Sequence, residues 1–90
     1  MIIDYRKLAA EWLQQSSSRM AIRKLLELES EGTTLRIKRA KAMAAGEIIL
    51  IYIKEWVIET YPDLANHHSS ISIFQKATEI YLQRKVMGEE

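Results

Sequence analysis

The sequence predicts an all-α protein: a four-helix bundle-like single domain arranged round one long central helix. Three observations carry this. Apolar residues recur at helical spacing along most of the chain. One proline and three glycines punctuate 90 residues, which suits long helices with few turns. The segment from Glu47 to Tyr61, EIILIYIKEWVIETY, is apolar on almost every side when wound as a helix. A helix apolar all round has to be enclosed on most sides, so this one is placed at the centre. A buried strand is the rival reading of Ile48 to Ile53, six apolar residues rich in β-branching. No second strand is present to pair with it, and its flanks carry good helix formers.

Composition sets the outer bounds. Apolar residues make up 48% of the chain, enough for a core, and charged residues 28% with a net charge of +1. That near-neutral balance gives no global attraction to nucleic acid or to a membrane surface. With no cysteine, disulfides and thiolate zinc sites are excluded. The start of the chain has charges from Asp4 onward and no signal-peptide pattern. The longest uncharged apolar run, Ile48 to Ile53, falls far short of the ~20 residues that span a bilayer. A soluble, cytoplasmic protein with no membrane span is expected.

The first helix is expected over about 2–15, with Tyr5, Leu8, Ala9 and Trp12 on one stripe and Asp4 in its first turn. Ser16, Ser17 and Ser18 read as a break and a cap. The second helix is expected over 19–31, with Ala21, Leu25 and Leu28 in one row and Ile22 and Leu26 beside it. Its basic residues come first and its acidic ones last, against the dipole preference. Pairing of Arg23 with Glu27, four residues apart, offsets that. Gly32 ends this helix, and Thr33 or Thr34 caps the next, giving an αα-hairpin.

The third helix is expected over 33–61. Unbroken, it would be ~43 Å long at 1.5 Å per residue, a rod protruding from a globule this small. Either Gly46 bends it, or a second copy of the chain covers it, and the girth of apolar surface favours a homodimer. Tyr61 before Pro62 stops it. Residues 63–66 form a helical turn, His67 to Ser70 a polar link, and 70–86 the last helix, with Arg84 and Lys85 in its final turn.

Little in the chain points to chemistry. His67 and His68 are adjacent and face different ways, so they are not a chelating pair. No glycine-rich phosphate loop and no nucleophile elbow occurs. No catalytic residue, metal or cofactor is expected, and the chain reads as a non-enzyme. The one local anomaly is Arg36, Lys38, Arg39 and Lys41, four cations within six residues and no acid between Gly32 and Gly46. They are candidate phosphate contacts for nucleic acid, following a loose helix-turn-helix arrangement. Tyr5, Trp12, Tyr52 and Trp56 are candidate protein-interface anchors, since aromatics concentrate binding energy.

The reading that fits best is a small, self-associating protein–protein interaction module: an adaptor, a chaperone-like factor or an inhibitor. The alternatives are a small DNA-binding regulator using the basic start of the third helix, and a toxin-immunity-type protein, which rests on size and helical class alone.

Overall fold

The structure, a computed structural model, describes residues 2–30 and 36–88, without the side chains of residues 30 and 36–39. Every regular element among the described residues is helical: α1 (Tyr5–Trp12), α2 (Ser16–Ser30), α3 (Arg36–Thr60), a 3-10 turn (Pro62–Leu64) and α4 (Ser70–Val86).

α1 is shorter than the 2–15 expected. Asp4 is its N-cap rather than part of its first turn: the backbone there is extended, and the carboxylate accepts from the Lys7 amide at 3.1 Å. At the other end, Gln14 N–H bonds the Glu11 carbonyl (3.1 Å) and Gln15 N–H the Trp12 carbonyl (3.3 Å). Such bonds, three residues back, tighten the last turn and close the helix.

The break therefore lies at Leu13 to Gln15, not at the three serines, which form the first turn of α2. The Gln15 carbonyl receives the bond that opens α2, from Arg19 N–H at 3.2 Å. The Arg19 guanidinium reaches back to the Leu13 and Gln14 carbonyls, at 2.7 and 3.0 Å. A cation at the end of α1 suits that helix's dipole, so this arginine explains in part why α2 opens with basic residues. Arg23 meets Glu27 at 3.3 Å, both well exposed, a pairing that contributes little to stability. The expected stop at Gly32 and the caps at Thr33 and Thr34 lie outside the described residues.

α3 is one uninterrupted helical run through Gly46. Its 25 residues make a rod of about 37 Å, close to the molecule's longest dimension of 41 Å. The bundle is drawn out along the rod, rather than left behind as a globule from which the rod projects. Tyr61, before Pro62, leaves the helical region and ends the run. The 3-10 turn follows, close to the turn expected at 63–66. The His68 ring spans the link to α4, with Nδ1 at 2.8 Å from the Leu64 carbonyl and Nε2 at 3.1 Å from Ser70 Oγ. A carbonyl only accepts, so Nδ1 carries the proton. Ser69 caps α4 by accepting from the Ser72 amide at 3.2 Å, and α4 covers the span expected.

The core is assembled from all four helices: Leu8, Ala9, Trp12 and Leu13; Ile22 and Leu25; Ile49, Ile53 and Val57; Ile73, Ala77, Ile80 and Tyr81. α1 lies chiefly against α4, α2 against α3, and α3 and α4 against each other. Three polar ties join α1 to distant chain, the most exposed from Arg6 to Gln83 Oε1 at 3.1 Å. The Ser69 amide donates to the Tyr5 hydroxyl at 3.1 Å, and the Tyr61 hydroxyl donates to the Glu11 carboxylate. That carboxylate is the main reason the Tyr61 phenol is held above its ordinary pKa, with desolvation and the negative charge acting in the same direction.

The enclosure expected of α3 is not what a single chain provides. Ile49, Ile53 and Val57 are at most 2% exposed, whereas Ile48, Ile51, Tyr52 and Ile58 are 43–55% exposed. Because α1 is taken up by α4, α3 has α2, α4 and the 3-10 turn as its main neighbours. They cover one stripe at four-residue spacing and leave the opposite side in water.

Three outcomes test this arrangement. Ile53→Ala should cost about 2–5 kcal/mol in denaturant unfolding, while Ile51→Ala at dilute protein should change stability by less than about 0.5 kcal/mol. Gly46→Ala should stabilise by up to about 1 kcal/mol, because the added Cβ would sit 3.9 Å from the Phe74 ring in ordinary contact. Finally, a phenol whose folded pKa is raised stabilises the fold below its unfolded pKa and loses that contribution as pH rises through the folded value. Wild type should therefore lose thermal stability above about pH 10, and Tyr61→Phe should be less stable at neutral pH and show a smaller alkaline loss.

Candidate interaction surface

The outer side of α3 follows from its spacing. A helix turns about 100° per residue, so positions 44, 48, 51 and 58 lie away from the stripe of 49, 53 and 57. Ala44, Ile48, Ile51 and Ile58 are all exposed there, with Tyr52 at one margin. With exposed Lys41 and Glu55 they form the series 41, 44, 48, 51, 55, 58, alternating steps of three and four. That 3.5-residue repeat is the seam by which one helix packs along another. Lys41 stands at one end, while Glu55 and Glu59 lie toward the other, and Glu47 and Lys54 flank the row. The start of α4 extends the patch: Ile71, 57% exposed, shares a shallow depression with Leu50, Ile51 and His68.

The four aromatic anchors expected from the sequence are dispersed. Tyr5 is half-buried and holds the Ser69 amide. Trp12 is 2% exposed and part of the core. Trp56 is half-buried, its ring edge-on to Tyr61 at 5.9 Å between centroids. Tyr52 is the one of the four that lies open, beside the apolar row of α3. Of the four cations, Lys41 is exposed on α3, and the side chains of Arg36, Lys38 and Arg39 lie outside the described residues.

The row of Ile48, Ile51 and Ile58 was not separable in the sequence from Ile49, Ile53 and Val57, because the run is apolar on both sides. One signal does distinguish them. Extended toward the start of α3, the inner stripe meets Ala42, Ala45 and Gly46, all half-buried, where small residues admit the close approach of α4. The outer row meets Lys41, a side chain that stays in water.

Among the described residues, no three histidine, aspartate or glutamate side chains come together as a metal site. Nor is any helix among them long and apolar enough to cross a membrane. No protein family model, no curated protein and no solved structure matches the chain.

Proposed function

We propose that this chain is a non-enzymatic interaction module that associates with itself through the outer side of α3. The observation that carries this reading is the row of Ile48, Ile51 and Ile58, each 43–54% exposed along one side of α3. Contiguous apolar surface of this kind marks a site of association.

The occupant is a second copy of the chain laid antiparallel. The first part of α3 carries Arg36, Lys38, Arg39 and Lys41 with no acid, and the second part carries Glu47, Glu55 and Glu59 against Lys54 alone. An antiparallel copy sets the basic part of each helix beside the acidic part of the other, whereas a parallel copy sets like beside like. Centred between Ile48 and Ile51, the pair also sets Ile48 of each seam against Ile51 of the other, with Ala44 opposite Glu55 and Lys41 opposite Ile58. The same surface suits adaptor, chaperone-like or inhibitor roles. The duplex-binding alternative has exposed Lys41 as its described side chain, and the immunity alternative has only the small helical architecture.

Sedimentation equilibrium tests the reading. Wild type should pass from the single-chain mass to twice that mass between micromolar and millimolar protein. Ile48→Glu/Ile51→Glu should keep its fold when dilute and lose about 2 kcal/mol or more of association free energy. A single-chain mass for the wild type throughout that range would reject it.

A further inference from the structure

A second feature adjoins the outer row of α3, with Tyr52 and Glu55 at the shared margin, and its walls from α1 and α2 take no part in the association described above. Between α1, α2 and α3 is a cleft of about 390 Å³. Its walls include Trp12, Ser18, Tyr52, Glu55, Trp56 and Glu59. Trp12 and Trp56 are the two tryptophans of the chain. The four residues from α3 fall at positions 52, 55, 56 and 59, the spacing that brings side chains onto one face of a helix. Glu55 and Glu59 are exposed, and neither has an ion-pair partner among the described residues. No lysine or arginine lines the cleft.

We infer that this cleft binds a guanidinium group, as carried by an arginine side chain. Aromatic rings attract cations, tryptophan most strongly. Unlike the compact ammonium of lysine, the guanidinium is planar: it stacks on an aromatic ring and also presents a fork of N–H donors to a carboxylate. A cleft that pairs the open Tyr52 and the half-buried Trp56 with two carboxylates that have no ion-pair partner among the described residues supplies both halves of that recognition. It lies open to solvent, so the group can arrive on a peptide as readily as on a small molecule.

Both tryptophans line the cleft, so intrinsic tryptophan fluorescence reads occupancy directly. The protein should be titrated, dilute and at low salt, with a capped Gly-Arg-Gly peptide, its citrulline counterpart and agmatine. The arginine peptide should give a saturable change that weakens with added salt, and the neutral citrulline peptide should give none. Glu55→Gln/Glu59→Gln should weaken the arginine peptide by about tenfold or more. Tighter binding of the peptide than of agmatine assigns the site to a protein arginine; agmatine binding equally well assigns it to a free guanidinium compound. Ile51→Ser keeps every residue of the cleft and adds no charge, and it should bind as wild type does, which separates this site from self-association. Identical responses to arginine and citrulline, or full affinity in the double glutamine variant, would overturn the inference.

Discussion

A helix can hand its own bundle only as much surface as the bundle has neighbours to receive. α3 carries nine large apolar side chains between Ile48 and Ile58, and its neighbours take up one stripe of them. Ile49, Ile53 and Val57 are buried among their neighbours, Leu50 and Trp56 are half-buried, and Ile48, Ile51, Tyr52 and Ile58 face outward. The pairing of α1 with α4 decides this. Tyr5 receives the Ser69 amide at the start of α4, and Arg6 donates to Gln83 near its end, so α1 is held against α4 and little of it reaches α3. Burial of one isoleucine stabilises by about 1.5–3 kcal/mol, so the inner stripe is enough to hold α3 in place. The outer row keeps the same apolar character without that return from its own chain.

Two properties of α3 then point the same way. The exposed row runs at a 3.5-residue repeat, and charge is divided between the two ends of the helix. A row of isoleucines alone would accept many partners. Division of charge favours one orientation of one partner, since like charges brought together cost association energy. The cleft beside Trp56 is different in kind: aromatic and acidic, not apolar, and it adjoins the row along Tyr52 and Glu55.

Much of the fold is legible from sequence where a physical signal is local. α4 can be read to its ends, because Ser69 is a good cap, its apolar residues keep strict helical spacing, and Arg84 and Lys85 close it. The stop at Tyr61 is equally plain, since proline acts on the residue before it. The corner between α1 and α2 is less so. Three serines look like the break, yet the helix closes at Leu13 to Gln15, where Arg19 reaches six residues back to a carbonyl, an interaction visible only once the chain has turned. The sidedness of α3 escapes for another reason. Periodicity locates a buried face by contrast with a polar one, and Ile48 to Ile53 offers no contrast. That the segment is helical follows from its flanks; which third of it meets the core follows from the tertiary pairing of α1. The anchors show the same division, for nothing in sequence separates Trp12, sealed in the core, from Tyr52, open to water.

The claim on which this account depends is that α3 has one side buried by its own chain and another waiting for a second chain. Because the protein has no cysteine, single cysteines at 48, 49, 51, 53, 57 and 58 allow the rate of thiol labelling to be measured position by position. Labelling should be slow at 49, 53 and 57 at every protein concentration. At 48, 51 and 58 it should be fast when dilute and slow progressively as protein is added. Equal protection of all six positions in dilute protein, or rates at 48, 51 and 58 that ignore concentration, would contradict it.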